Sequence, residues 1–276
     1  MPPFIVDVVR LGVWLALLTA VFVPLERAFA LHPAKWRRAG FATDLGHYFI
    51  NSLLPAALIA APLALLATGL QRILPPGFHA LVHALPLWVT IPAGLIVADI
   101  GSYWGHRLSH EIPFLWRFHA VHHSAEHIDW LVNTRAHPLD MVVTRLAGLT
   151  PLYLLGLGTA GASGSLLPVV VTLLGTFAGF FVHANVRWRL GWFEQLLSTP
   201  AFHHWHHSRR DHIDRNYAAT LPVIDRIFGT YYLPDHWPTE YGTDTPVAAT
   251  LAGQLAHPWR TTDLAERVGF EPTKGF

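Results

Sequence analysis

Four apolar stretches, each too long for the core of a small soluble domain, restrict this chain to a helical membrane protein. Residues 4–25 (FIVDVVRLGVWLALLTAVFVPL) are broken only by Asp7 and Arg10. Residues 48–70 carry no Asp, Glu, Lys or Arg, and 79–105 carry only Asp99 of that kind. A fourth stretch, 146–183, has no charged residue and has room for two segments. A bilayer crossing takes about 20 apolar residues, so three spans and one hairpin or pair of spans are expected. Composition agrees: 52% of the residues are hydrophobic and 13% charged, where soluble domains carry about 25% charge. Ala28-Phe29-Ala30 resembles a signal-peptide cleavage site. No basic residue precedes Arg10, however, and Glu26 and Arg27 crowd that site, so the first stretch is read as a span.

Basic residues orient the bundle. Arg27, Lys35, Arg37 and Arg38 follow the first span, whereas the loop near 71–78 holds only Arg72. The first loop is therefore expected in the cytoplasm and the second outside, so that the third span returns inward and delivers His106 to the cytoplasmic face. The 146–183 hairpin leaves and returns on that same side. The expected fold is all-α: a polytopic membrane helical bundle with a cytoplasmic histidine-rich helical cap, in the inner membrane if the chain is bacterial.

Eight histidines in three clusters supply the chemistry: His106-x-x-x-His110, His119-x-x-His122-His123 and His203-x-x-His206-His207. Residues three and four apart share a helix face, so each cluster aims its imidazoles in one direction. One such comb is a chance event; three are the makings of a metal site. Of 19 histidines, 12 fall within 106–137 and 203–212, a concentration expected of ligands and their supports. Pro113 ends the helix bearing the first cluster, so the second starts a new helix able to face it. Neutral imidazole suits iron, zinc, copper and nickel. The ligands outnumber the four of a tetrahedral zinc site, and two metals with open positions match the count. Spacing does not choose iron over zinc. The chain has no cysteine, which excludes disulfides and thiolate-held clusters. A net charge of +1 gives no reason to expect nucleic-acid binding.

Other residues carry smaller expectations. Asp99, two turns before His106, is costly inside a span; it is expected to orient a ligand imidazole. Glu111, Glu126 and Asp129 are candidates for the same duty or for water. Arg107 and Arg135 either neutralise nearby carboxylates or face solvent. His32, His47, His79, His83, His236 and His257 are isolated and read as surface or interface residues, with His127, His204 and His212 as neighbours of the clusters. Gly156-x-Gly158-x-x-Gly161 matches a dinucleotide fingerprint only as a bare pattern, with no preceding strand. Gly175-x-x-x-Gly179 reads as a close helix–helix contact.

Tyr103-Trp104-Gly105-His106-Arg107-Leu108-Ser109-His110-Glu111, Phe118-His119-Ala120-Val121-His122-His123-Ser124 and Thr199-Pro200-Ala201-Phe202-His203-His204-Trp205-His206-His207, in that order, resemble the fatty acid hydroxylase/sterol desaturase superfamily. Asp214-Arg215-Asn216-Tyr217 and Asp225-Arg226-Ile227-Phe228-Gly229-Thr230 extend the resemblance, which covers roughly residues 94–245. It implies a non-haem diiron centre that uses O2 and external electrons to hydroxylate or desaturate a lipid C–H bond. It also implies two further ligands, His137 in Arg135-Ala136-His137-Pro138 and His183 in Phe181-Val182-His183-Ala184-Asn185, and draws attention to Asp140 and to Arg135 at the site. No cytochrome b5 haem motif and no cysteine is present, so electrons are expected from a partner protein. Three parts follow: N-terminal transmembrane helices (1–93), a catalytic part including the hairpin (94–245) and a cytoplasmic tail (246–276). A zinc-dependent membrane hydrolase and a metal transporter or sensor are the alternatives. The first lacks an H-E-x-x-H carboxylate, and the second would string its ligands along a membrane pathway.

Overall fold

The computed structural model describes residues 2–33, 38–73, 75–157, 166–210, 212–244 and 246–260. Among them every regular element is helical, and only two isolated β-bridges occur, Ala30 with Val186 and Ser208 with Tyr241. Helices α1 (Pro3–Phe29), α2 (Phe41–Ile73) and α4 (Leu87–Glu111) contain stretches long and apolar enough to cross a membrane. The chain is an integral membrane protein. On α1, Val9, Val13, Leu17 and Val21 form an exposed stripe at four-residue spacing, as a lipid-facing helix requires. Its other side packs through Phe22, stacked on Trp130 with ring centroids 5.8 Å apart.

Two expected segments have different bounds. The 79–105 stretch is divided: α3 (Pro76–His83) ends before Pro86, and α4 begins only at Leu87. Proline at the N-cap forces that restart, so the spanning helix runs on to Glu111 and carries His106 and His110 on its own last turns. The 146–183 stretch holds α6 (Pro138–Leu154) and α7 (Leu166–Val182), with 17 residues in each, about 25 Å of helix. The α6 helix starts eight residues before the apolar run because its first turns belong to the polar cap. Gly158 and Gly161 of the discounted fingerprint lie outside the described residues.

Within Gly175-x-x-x-Gly179 only the second glycine is closely packed. Nothing lies within 4 Å of a Cβ placed at Gly175, and one at Gly179 meets the Asn133 side chain at 2.6 Å. The tight seam joins α4 to α6. A Cβ at Gly101 would stand 2.2 Å from the Ala147 carbonyl oxygen, one at Gly105 2.5 Å from the Ala147 Cβ, and one at Gly148 2.5 Å from Ser102 Oγ. Small residues four apart let the two backbones meet, which seats α6 directly behind the first histidine cluster.

The cap is assembled from short helices that start on proline: α5 (Pro113–His123), α8 (Pro200–His206) and α9 (Pro222–Ile227), with α10 (Leu251–Arg260) laid against α5 and α2. Proline at the first helical position loses no hydrogen bond and presets the backbone angle. On α8, the Thr199 hydroxyl oxygen also accepts from the Phe202 N–H at 3.4 Å. Buried charges bind cap to bundle. The Glu26 carboxylate accepts from the backbone N–H groups of Trp130 and Asn185, both at 2.8 Å, while Arg38 bridges Asp129 and Asp44.

Replacing Gly101 with Ala should lower stability by about 1–3 kcal/mol, the range for overpacking, because backbone stands in the way. Gly12→Ala, with nothing within 4 Å, should not lower it. Thermal unfolding of both variants in detergent, followed by circular dichroism, tests the seam.

Candidate metal centre

Four pieces of chain bring nine imidazoles to one end of the bundle. They are the last turns of α4 (His106, His110), α5 (His119, His122, His123), the residue after α7 (His183), and α8 with its C-cap (His203, His206, His207). Their nitrogens sort into two sets able to hold a metal ion, each with its ligand atoms within 4.8 Å of one another. One set is His106, His110, His119, His123 and His206; the other is His122, His183, His203 and His207. The cap buries nearly all of them.

Hydrogen bonds behind the rings decide which nitrogen faces inward. The Nδ1 of His106 lies 2.8 Å from the Tyr217 carbonyl oxygen and that of His206 2.8 Å from the Arg215 carbonyl. His119 Nδ1 is 3.0 Å from Asp140 Oδ2, and His110 Nδ1 3.1 Å from Asp214 Oδ1. In the second set, His122 Nδ1 faces the Arg135 carbonyl at 2.8 Å and His183 Nδ1 the Gly179 carbonyl at 2.7 Å. Carbonyls and carboxylates only accept, so each of these Nδ1 atoms carries a proton, and in the neutral ring Nε2 is left with a bare lone pair.

Those lone pairs point at one another. His106 Nε2 lies 3.1 Å from His119 Nε2, and His183 Nε2 lies 3.2 Å from His122 Nε2. Between neutral rings neither nitrogen has a proton to share, so each pair repels unless a cation sits beside both. Two nitrogens bound at about 2.1 Å and near right angles to one ion would be about 3.0 Å apart. The donor set therefore fits a pair of imidazole-bound metals.

Burial also favours the neutral form of rings in both sets. It pushes His122, His123, His203, His206 and His207 well below the usual histidine range of 6.5, and crowding by the neighbouring imidazoles adds to the effect. His183 is lowered to about 4, again by burial. Metal ligation requires this neutral form.

The remaining expected residues stand elsewhere. His137 belongs to neither set: its Nδ1 accepts from the Leu139 N–H at 3.2 Å, capping α6, and its Nε2 faces the Leu255 carbonyl at 3.2 Å. Asp99 orients no imidazole. Its carboxylate accepts from the backbone N–H groups of Thr220 and Leu221 at 3.0 and 2.7 Å, and so holds the loop that supplies the Tyr217 carbonyl. Arg135 contributes its own backbone carbonyl to His122, while its guanidinium grips Asp44 at 2.5 and 3.1 Å. Arg107 pairs with Glu111 at 2.7 Å. Of the isolated histidines, His47 is buried, with its Nε2 2.8 Å from Gln254 Oε1.

Histidine spacing does not reveal Asp214, Arg215 and Tyr217 as supports of the site, yet this one loop gives acceptors to three rings of the five-imidazole set. Its shape depends on Asn216, which takes a left-handed backbone at φ +58 that asparagine tolerates better than most residues. The Asn216 amide donates to the Phe202 and Tyr232 carbonyls at 2.8 and 2.6 Å. The Asp225 carboxylate accepts from the N–H groups of Tyr217 and Ala218 at 2.7 and 2.8 Å. An Asp-Arg-Asn-Tyr run a short way past a histidine box was the available signal.

This is the fold of a helical membrane protein with buried histidine clusters able to hold metal ions, and known proteins are similar to it in sequence. A family model described as fatty acid hydroxylase matches residues 91–230. The ornithine lipid hydroxylase OlsE of Rhizobium tropici is 32% identical over 265 residues, 92% of this chain and 77% of that protein. The alkylglycerol monooxygenase of Homo sapiens is 34% identical over 137 residues, 48% of this chain and 28% of that one. Methylsterol monooxygenase 2-2 of Arabidopsis thaliana is 27% identical over 197 residues, 67% and 65% of the two chains. No solved structure matches. The chain belongs to the fatty acid hydroxylase family, and it is an oxygen-dependent oxidoreductase of the lipid-hydroxylase class.

Asp140→Ala removes the acceptor that orients His119, and metal affinity measured by chelator competition should fall about 10–100-fold, as for other such supports. The metal-free protein should lose stability on acidification. Its buried histidines have folded pKa values below the unfolded 6.5, so below that pH the unfolded chain binds more protons. The loss should approach about 1.4 kcal/mol per pH unit for each such ring, and melting temperatures from pH 7.5 to 5 measure it.

Proposed function

We propose that the chain is a diiron monooxygenase that hydroxylates an unactivated C–H bond in a membrane lipid, with one iron in each imidazole set. The observation that carries this reading is the facing of unprotonated Nε2 atoms across 3.1 and 3.2 Å in the two sets. With iron bound in both, the chemistry supplied is activation of dioxygen and oxidation of the C–H bond. The overall balance takes one O2, two electrons and two protons and returns an alcohol and water. The electrons come from a separate donor protein.

The chain's own residues do the rest. Asp140, Asp214 and the four carbonyls hold the rings in place before any metal arrives, which limits reorganisation during turnover. The cap keeps water out. Between α4 and α6 lies an apolar groove of about 430 Å³, lined by Ile100, Trp104, Leu108, Leu115 and Val143 among others. Its wall includes Gly105, next to His106, so an acyl chain lying there would pass beside the five-imidazole set. The relatives are named hydroxylases and monooxygenases, which supports hydroxylation over desaturation. The extent of the similarity to the ornithine lipid hydroxylase favours an acylated aminolipid as substrate. The basic loop after α1 supports a cytoplasmic position for the centre.

Protein purified from iron-supplemented cells should hold about two irons per chain and give coupled diferric signals in an iron-57 Mössbauer spectrum. Cells expressing it should accumulate a lipid heavier by one oxygen atom. His206→Ala should abolish that product while the protein still inserts in the membrane. Stable zinc with no iron uptake after anaerobic reconstitution would sink the diiron reading.

A further inference from the structure

Beyond the ends of α1 and α7, the chain runs along the cap at the level where α1 leaves the membrane. The Arg187 N–H donates to the Phe29 carbonyl at 2.9 Å, Ala30 and Val186 form a β-bridge, and Trp188 packs on Phe29 with ring centroids 5.1 Å apart. With 27 residues, α1 is about 40 Å long, against about 30 Å for the hydrocarbon core and 40–45 Å with the headgroups. Its last turn, and the segment tied to it, therefore lie at headgroup depth.

That segment is apolar on its outer side. Trp192 is 64% exposed, and Phe193, Leu196 and Leu197 are about half exposed. The neighbouring α9 adds Val223 and Ile227, the latter 70% exposed. The backing is rigid: the Arg189 guanidinium holds the buried Glu194 carboxylate at 3.2 Å, and Glu194 also accepts from the Leu190 N–H at 2.7 Å. Exposed Arg187 and Arg226 flank the patch. Contiguous apolar surface of this kind on a polar cap marks a contact surface. Tryptophan and phenylalanine beside arginine are the residues that settle at a membrane interface.

We infer that residues 190–197, with Val223 and Ile227, form a shelf that dips into the leaflet surface α1 leaves, with Arg187 and Arg226 among the lipid phosphates. The occupant of this patch is the bilayer itself. The shelf fixes the cap, and with it the metal centre, at a set height above the acyl chains. It gives the cap an attachment independent of the three long helices.

The absence of cysteine makes the test direct. Single substitutions Phe193→Cys, Leu196→Cys and Ile227→Cys, with Thr239→Cys on an exposed polar loop as control, are spin-labelled in the full-length chain. The protein is reconstituted in phosphatidylglycerol/phosphatidylethanolamine vesicles, and collisions of each label with oxygen and with a water-soluble nickel chelate are compared by power saturation. Circular dichroism melts matching the unsubstituted protein verify folding. Labels at 193, 196 and 227 should collide preferentially with oxygen, and the label at 239 with nickel. Preferential nickel access at the three shelf positions would overturn the proposal. So would water access in vesicles that is lost only on adding membrane extract, which would make the patch a protein-docking surface.

Discussion

Lone pairs of neutral imidazoles, turned toward one another and shielded from water, are the constraint around which the rest of the molecule is arranged. A ring left free to rotate would turn Nε2 away or share a proton with its neighbour. Six rings are denied that freedom by acceptors behind them, and those acceptors come from distant parts of the chain: the end of α7, the turn before α6, α6 itself and the loop 214–217. Two of these supports are held in turn. Asp44 and Arg38 fasten Arg135, whereas Asp99, Asp225 and Asn216 fasten the loop. The buried charges of the cap thus act on ring orientation rather than on the metal positions directly.

The two imidazole sets are not equivalent. The five-membered set has carboxylates behind two of its rings, Asp140 on His119 and Asp214 on His110. In the four-membered set, the two rings whose supports are defined, His122 and His183, have backbone carbonyls. A carboxylate raises the basicity of the imidazole it accepts from more than a carbonyl does. An ion in the first set therefore meets the stronger donors.

Membrane and centre depend on each other through the α4–α6 seam. Glycines at 101, 105 and 148 bring the two backbones together, which places Asp140, on the first turn of α6, against His119. The same approach borders the groove that opens along α4. A single packing feature thus contributes to holding a ring and to shaping a path for an apolar chain.

Apolar run length determined that the chain is a helical membrane protein, and histidine spacing determined that α4, α5 and α8 each present a row of imidazoles. Both follow from short-range periodicity, which any helix must express. The resemblance to a known family pointed to His183, which the fold places beside His122, His203 and His207. It also suggested His137, which the fold uses to cap α6, because a histidine before a proline serves as well for capping as for ligation. Sequence alone did not separate the rings into five and four, since His122 and His123 are adjacent in α5 yet face different sets. Nor did it reveal that Asp99 supports a loop or that Asp214 stands behind His110, 104 residues away. These pairings are contacts between distant segments, and only the packing of helices through the membrane decides which segments meet.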